Sequence, residues 1–214
     1  MILYDYFRSS ACYRVRIALN LKKISYEKVP IHLVQDGGEQ YKPEYQALNP
    51  QHLVPTLNEN GHILGQSLAI IEYLEELHPT PALLPKTPLL RAHIRELATT
   101  IACDVHPLNN LRVLNYLREQ YTLDEAQIQT WYHHWLKQGL DAFEMRLQKL
   151  QRKAPVCSGD DVTLADICLI PQVYNAHRFH FPMAAYPLIN EIYAYCTQLS
   201  AFQDAAPREH QEPV

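Results

Sequence analysis

Two serines and one cysteine lie close together near the start of the chain, in the stretch FRSSACYRVRIALNL. The pattern predicts a helix that begins near Ser9, and the free backbone N–H groups at a helix N-terminus favour an anion such as a thiolate. No histidine precedes His32, so no base for a serine nucleophile lies nearby in sequence. We expect Ser9 to donate a hydrogen bond to a thiolate that a bound small molecule supplies, while Ser10 adds a second hydroxyl or caps the helix.

The other polar residues of this stretch have structural interpretations. Two serines before a helix are also what an ordinary helix cap requires. Cys12 falls in the first helical turn, where a thiol serves more readily as a buried apolar side chain than as a redox group. Arg14 and Arg16 fall inside the helix, and we expect them to face solvent or a neighbouring domain, as charged helical residues usually do.

The first third of the chain contains short strands and helices that would position these residues. Apolar periodicity and turn residues predict strands at 2–6, 26–31, 54–57 and 62–64, a helix after Ser9, a short turn at 43–47 and a helix at 68–77. The first strand, helix and second strand form a right-handed β-α-β unit. The Asn60-Gly61 pair predicts an antiparallel hairpin between the last two strands, and Ser67 is the expected N-cap of the following helix.

Prolines divide the chain into two predicted domains. The segment HPTPALLPKTP contains four prolines, which exclude a regular helix or a central strand. Beyond Leu89 only helical periodicity appears, which predicts a helical bundle. We therefore expect an α/β domain at 1–79, a proline-rich linker at 80–88 and an all-α domain at 89–214.

Two features of the predicted helical domain have purely structural interpretations. Thr163 and Asp166 have the spacing of a capping box, and loss of Asp166 should cost about 1 kcal/mol or more of stability without affecting the chemistry. The tail from Ala205 to Val214 is polar and contains prolines, so we expect it to fray.

Composition excludes several classes of partner. Nineteen Lys and Arg against 23 Asp and Glu give a formal net charge of -4, and without a basic run this argues against nucleic acid. No window approaches the roughly 20 apolar residues that a bilayer requires, and no targeting segment is visible, so we expect no membrane partner and a cytoplasmic location. The five cysteines are scattered, and the histidine pairs 133/134 and 177/180 lack matching ligands, so no metal site is predicted.

The motif SSACYRVRIAL at Ser9–Leu19 resembles the signature of the zeta-class glutathione transferases, whose best-known activity is that of maleylacetoacetate isomerase. Further segments that resemble this family are LNPQHLVPTL, QSLAIIEYLEE, TPALLP, PLNNLRVL and VTLADICLIPQVYNAHRF. The resemblance covers almost the whole chain. It implies an α/β thioredoxin-like N-terminal domain that binds glutathione, followed by an all-α C-terminal helical bundle that lines the substrate site.

The resemblance also implies which residues bind glutathione. They are Ser9, Gln46, His52, Val54, Pro55, Gln66, Ser67 and Asn109. Val54-Pro55 corresponds to the family's cis-proline turn, where exposed backbone pairs with the tripeptide as an added strand would. Many members have a cysteine where this chain has Ala11, so Cys12 does not inherit a catalytic role, and the thiol that reacts is the cofactor's.

The implied reaction converts maleylacetoacetate to fumarylacetoacetate. Reversible addition of the glutathione thiolate turns the cis double bond into a single bond, and after rotation the thiolate leaves. Arg8 and Arg178 are the expected partners of the carboxylates of this keto-acid, and Asn109 is a further candidate for substrate binding. A homodimer acting in tyrosine catabolism is implied as well.

Three alternatives remain open at this level. Maleylpyruvate isomerisation needs the same thiolate and a similar dianion. A glutathione transferase, or a dehalogenase of small α-halo acids, would consume glutathione or release halide. A non-catalytic binding protein with this fold is disfavoured, because packing alone does not require so many polar site residues together.

Overall fold

A computed structural model describes residues 1–208. The described residues form two compact units, of which the first comprises residues 1–82 together with residues 199–208, and the second comprises Leu83–Gln198. The expected helical domain at 89–214 differs from the second unit in its last segment, which lies with the N-terminal unit. Within the described residues, no helix combines the length and apolar character that a membrane span requires.

The first unit is a mixed sheet with helices. Its elements are β1 (Ile2–Asp5), α1 (Ser10–Leu21), β2 (Glu27–Pro30), α2 (Pro43–Leu48), β3 (Thr56–Glu59), β4 (His62–Gly65), α3 (Ser67–Leu77) and, from the end of the chain, α9 (Ser200–Ala205). The strand order is β2-β1-β3-β4, with β1 parallel to β2 and antiparallel to β3, and with β3 antiparallel to β4. The predicted β-α-β unit and hairpin, and with them the thioredoxin-like fold, are confirmed.

The strand register brings three chain segments to one edge of the sheet. Thr56, the first residue of β3, pairs with Tyr4 near the end of β1 and with Gly65 at the end of β4. The turn after β1, the residues before β3 and the residues after β4 therefore all lie at this edge, which we call the site edge. β3 begins at Thr56 rather than at the predicted Val54, because Pro55 has no N–H group to donate to a strand ladder.

Apolar side chains cover both faces of the sheet. Leu3 and Leu57 are fully buried, as are the inward-facing residues of α1 and α3, which contact each other. A second cluster contains Tyr6, Cys12, Tyr45 and Val54, with Phe7 packed against it. Tyr6 and Phe7, in the turn after β1, are part of this packing. The position of that turn therefore depends on the packing of apolar side chains.

The second unit is a bundle of helices, as expected. Its helices are α4 (Pro88–Thr99), α5 (Leu111–Tyr121), α6 (Glu125–Leu147), α7 (Leu164–Arg178) and α8 (Pro187–Cys196). A π-helical segment, Thr100–Val105, continues α4 and packs against α6 at Gly139, where a Cβ atom would overlap the Val105 side chain. The predicted capping box of Thr163 and Asp166 is present at the start of α7.

Two predictions about helix ends are wrong. Gln66, rather than Ser67, is the N-cap of α3, and Ser67 is its first helical residue. Ala205 does not fray, because it ends α9 with 1% of its surface exposed and Phe202 of the same helix is fully buried. The remainder of the predicted fraying tail from residue 209 onward lies outside the described residues.

Candidate active site

Ser9 is the N-cap of α1 at the site edge. Its backbone is extended, and its hydroxyl oxygen accepts a hydrogen bond from the Cys12 N–H at 3.2 Å. This contact uses the oxygen as an acceptor and leaves the hydroxyl proton for a ligand. Ser9 is partly exposed, and the N–H of Ala11 has no hydrogen-bond partner among residues 1–208. A hydroxyl and a backbone N–H are thus available to an anion at the start of α1.

Ser10 and Cys12 lie deeper than Ser9. Ser10 has only 4% of its surface exposed, so of the two candidate serines Ser9 is the accessible one. Cys12 is fully buried, and its sulfur accepts a hydrogen bond from the Tyr6 N–H at 3.4 Å. Burial raises the pKa of the Cys12 thiol far above its ordinary value, with the nearby Asp5 carboxylate acting in the same direction. The interpretation of Cys12 as a buried apolar side chain is confirmed.

The Val54-Pro55 peptide bond is cis, as the resemblance implies. Val54 itself forms no backbone hydrogen bond within the described part of the chain. Its N–H and C=O lie at the site edge beside the end of β1, where an extended peptide could pair with them as a further strand does. This arrangement is suited to a peptide ligand.

The turn before Pro55 is held by two residues that the sequence analysis missed. The Tyr45 hydroxyl and the Asn49 amide both donate to the Leu53 carbonyl, at 2.6 and 2.8 Å, and both contact the Thr56 hydroxyl. Burial raises the pKa of Tyr45 to about 12, which keeps its proton in place as a donor. A tyrosine four residues before an asparagine is not a recognisable sequence motif, so only the tertiary contacts show that these residues hold the turn.

Gln66 and Ser67 lie at the start of α3, also at the site edge. Gln66 has a left-handed φ of 66°, its side chain is exposed, and its amide donates to Gln51 Oε1 at 2.8 Å. The first N–H groups of α3, those of Ser67, Leu68 and Ala69, have no hydrogen-bond partner in the part of the chain that the structure describes. They form a second potential anion site.

The arginines of α1 do not face solvent, which was one of the two surroundings expected for them. Arg14 and Arg16 have 1% and 2% of their surface exposed. Arg14 Nη1 donates to the Ser67 hydroxyl at 3.3 Å and so links α1 to the start of α3. Arg16 forms a buried ion pair with Asp5 at 2.6 Å. The helical pattern located both residues correctly on α1, but their surroundings come from distant parts of the chain.

The remaining candidates of the first unit have more peripheral contacts. Gln46 is exposed, and its amide donates to the Tyr41 carbonyl at 2.8 Å. His52 has a left-handed φ of 56°, and its Nδ1 lies 3.3 Å from the Gln40 carbonyl. Arg8 is exposed in the turn before Ser9, with its guanidinium 4.9 Å from the centre of the Phe7 ring.

Two candidates belong to the second unit. The Asn109 amide nitrogen donates to the Tyr132 carbonyl at 3.1 Å, and its buried Oδ1 has no partner among residues 1–208. Arg178 is exposed in the last turn of α7 next to Phe179, whose ring stacks on Tyr132 with centres 4.0 Å apart. Tyr132 therefore contacts the segments that carry both candidates.

No metal site emerges from the described residues, in which no group of three or more His, Cys, Asp or Glu side chains has the arrangement to hold an ion. His133, one of the histidines considered above, places Nε2 2.9 Å from the Phe179 carbonyl.

Comparison with known proteins identifies the family. Residues 3–82 match the family model of the glutathione S-transferase N-terminal domain. The chain is 48% identical to a maleylacetoacetate isomerase from Pseudomonas aeruginosa over 208 residues, which cover 97% of this chain and 96% of that protein.

Solved structures give the same result. A glutathione S-transferase from Legionella pneumophila is 60% identical, with a TM-score of 0.87 over 97% of this chain and 100% of that one. A maleyl pyruvate isomerase, described as a bacterial zeta-class glutathione S-transferase, is 45% identical, with a TM-score of 0.96 over 100% of both chains. A maleylacetoacetate isomerase from Methylobacterium extorquens with bound malonate and glutathione is 40% identical, with a TM-score of 0.94 over 100% of both chains. The chain therefore belongs to the glutathione transferase family, in the zeta class of the maleylacetoacetate and maleylpyruvate isomerases.

Proposed function

We propose that this protein is a glutathione-dependent cis-trans isomerase that converts maleylacetoacetate to fumarylacetoacetate. One observation carries the proposal: a hydroxyl at the start of α1, the unpaired backbone of Val54 and the free N–H groups at the start of α3 all lie at the site edge. These groups complement a thiol, an extended peptide and a carboxylate, which are the functional parts of the tripeptide glutathione.

Each group of the site edge has a distinct role toward glutathione. When bound, glutathione supplies the thiolate that adds to the conjugated double bond and later leaves it. The Ser9 hydroxyl donates a hydrogen bond to that sulfur and so favours the thiolate over the thiol. The backbone of Val54, preceding cis-Pro55, pairs with the extended tripeptide.

Further residues complete the glutathione site. The N–H groups at the start of α3 bind a carboxylate, with Gln66 and Ser67 beside it. Gln46 and His52 lie in or next to the segment before β3, and we assign them supporting contacts. Ser10, which is buried, supports the helix start rather than the sulfur.

The substrate is an anion in a protein of net charge -4, so cationic partners must be local. Arg8 and Arg178 are exposed guanidinium groups, and such groups bind carboxylates through two parallel hydrogen bonds. Asn109 keeps an acceptor oxygen without a partner among the described residues, which suits a donor on substrate or cofactor. We assign these three residues to substrate binding, and Asn109 also to the cofactor.

Maleylpyruvate is a second candidate substrate. The specific observation in its favour is the TM-score of 0.96 to a maleyl pyruvate isomerase, against 0.94 to the maleylacetoacetate isomerase from Methylobacterium extorquens. A transferase or a dehalogenase of α-halo acids would use the same thiolate but would consume glutathione or release halide. The same assay distinguishes these possibilities.

The test of the proposed function is a spectrophotometric assay of the purified protein with each maleyl substrate, with and without a catalytic amount of glutathione. Free thiol is followed in parallel. Loss of the cis isomer only with glutathione, at constant thiol, is the expected result, and the faster substrate identifies the physiological one. Consumption of thiol would instead establish a conjugating transferase, and an absence of turnover with either substrate would overturn the isomerase proposal.

We further propose that the protein acts as a cytoplasmic homodimer in tyrosine catabolism, with a glutathione-binding domain at 1–79, a linker at 80–88 and a substrate domain from residue 89. Membership of the family supports these proposals. Light scattering coupled to size-exclusion chromatography measures the oligomeric state, and a monomeric mass would overturn the dimer.

A further inference from the structure

The C-terminal helix α9 is attached to α1 by three side chains on one face of α1. Tyr13, Arg16 and Asn20 have the spacing i, i+3 and i+7, which places them on the same side of a helix. They donate hydrogen bonds to backbone carbonyls of α9: Tyr13 to Phe202 at 3.3 Å, Arg16 Nε to Ala205 at 2.8 Å and Asn20 to Ala201 at 3.0 Å. The last four carbonyls of a helix have no partner within it, so Tyr13 and Arg16, which donate to Phe202 and Ala205, satisfy groups that would otherwise be unpaired.

Arg16 differs from the other two, because it also binds the turn that carries Ser9. Its Nη2 donates to the Phe7 carbonyl at 3.0 Å, and its Nη1 lies 3.5 Å from the Tyr6 carbonyl. The Tyr6 carbonyl also accepts the Ser9 N–H at 2.9 Å. One guanidinium plane therefore joins the end of α9 to the two residues whose backbone determines where Ser9 lies.

The charge of Arg16 is already neutralised at close range. Its Nη1 is 2.6 Å from Asp5 Oδ1, and both side chains are almost fully buried. What Arg16 supplies to the turn is consequently a rigid set of N–H donors, since a guanidinium holds five of them in one plane. A lysine at this position could keep the ion pair with Asp5 but could not reach Ala205 and Phe7 at the same time.

We propose that Arg16 is a positioning residue for catalysis, which holds the Ser9 turn in place by tying it to the C-terminal helix α9. This inference rests on the proposed function, in that Ser9 must donate to the glutathione sulfur. A displacement of a catalytic group by about 1 Å can cost on the order of 100-fold in rate, so a small shift of the turn is sufficient.

The test compares Arg16→Lys with Asn20→Ala. Arg16→Lys keeps the charge and loses the planar donor set, whereas Asn20→Ala removes one contact between α1 and α9 without touching the Ser9 turn. The pKa of the glutathione thiol in the binary complex is measured from thiolate ultraviolet absorbance, and kcat and the KM for glutathione are measured with the substrate identified above. Thermal unfolding confirms that each variant is folded at the assay temperature.

We expect Arg16→Lys to raise the thiol pKa toward that of free glutathione and to lower kcat by about 10-fold to 100-fold, with a much smaller change in KM. Asn20→Ala should leave the thiol pKa as in the unchanged protein. An unchanged thiol pKa in Arg16→Lys, or an equal rise in Asn20→Ala, would overturn the positioning role.

Failure of the underlying function gives a different result. If the unchanged protein does not lower the thiol pKa below that of free glutathione, the donor role of Ser9 is wrong and the positioning role falls with it. If the unchanged protein lowers the pKa and Arg16→Lys lowers it equally, only the role of Arg16 is wrong.

Discussion

The helices α1 and α7 both have a hydroxyl residue, Ser9 or Thr163, as their N-cap. They differ in whether the polar groups at the helix start are exposed or are buried and hydrogen-bonded. At α1, Ser9 is partly exposed and accepts one hydrogen bond, and the Ala11 N–H has no partner among residues 1–208. At α7, the Asp166 carboxylate is fully buried and accepts the N–H groups of Cys157 and Thr163, each at 2.7 Å, as well as the Thr163 hydroxyl.

The difference lies in what occupies the positive end of each helix. At α7 a buried carboxylate from the chain itself fills that position, and the Leu164 N–H donates to the Leu83 carbonyl at 2.9 Å. At α1 donors remain available to a ligand. A helix N-terminus therefore contributes stability when its donors are satisfied internally, and it contributes binding when they are left open at an accessible edge.

Removal of the Ser9 hydroxyl should have the largest effect. Ser9→Ala removes the donor to the thiolate, so kcat/KM should fall by about 10²-fold to 10³-fold. Loss of the cap should lower the free energy of unfolding by only about 1 kcal/mol. Steady-state kinetics and chemical denaturation measure the two effects separately. Ser9→Thr, which keeps a hydroxyl, is the matched control, and near-normal activity of Ser9→Ala would contradict the role of this residue.

Removal of the Asp166 carboxylate should have the opposite pattern. Asp166→Ala leaves buried N–H donors without an acceptor, so the free energy of unfolding should fall by about 3 kcal/mol. The activity of the folded fraction should stay unchanged, because Asp166 lies at a closed helix end. Denaturant unfolding provides the measurement, with the exposed Asp161→Ala as a control that should change stability by less than about 0.5 kcal/mol. A loss of kcat in fully folded Asp166→Ala would contradict the contrast between the two helix ends.

The cysteines near the two helix ends should show the smallest effect. Burial raises the pKa of the thiols of Cys12, in α1, and of Cys157, beside Asp166. A raised pKa means less thiolate at any given pH, so both should resist alkylation in the folded protein near about pH 8, where an ordinary thiol begins to react. Mass spectrometry should find modification at the exposed Cys103 alone, and at all five cysteines after unfolding.

Cys103→Ser is the control for alkylation, since it should abolish reaction of the folded protein. Rapid labelling of Cys12 in folded protein would mean that the start of α1 opens more than its packing indicates, and would require a fresh test of which thiol reacts.

Local sequence patterns predicted the elements of this fold well, because periodicity and turn residues act over short distances. The β-α-β unit, the hairpin at Asn60-Gly61 and the capping box at Thr163 are all present. The same patterns did not show that Arg14 and Arg16 are buried. The position of a residue within a helix indicates which other residues share its face, but not which segment of the chain packs on that face. For Arg16 that segment includes Ala205, which is 189 residues away in sequence.

Positions at helix ends were also predicted less accurately than the helices themselves. Ser67 has the side chain of an N-cap, but the chain leaves β4 with a left-handed residue at Gln66, so α3 begins one residue earlier than the cap rule implies. Tyr45 and Asn49 were missed as supports of the Val54 turn, because their role arises only where α2 packs beside the start of β3.

The sequence by itself determined the order of strands and helices, the family and the set of candidate site residues, because these depend on side-chain identity and on spacing along the chain. Only the tertiary structure decided which of the two serines is accessible and which helix end stays open. It also showed that a buried arginine joins the C-terminal helix to the Ser9 turn. Accessibility and hydrogen-bond saturation depend on segments that meet in space after folding, and no local pattern encodes them.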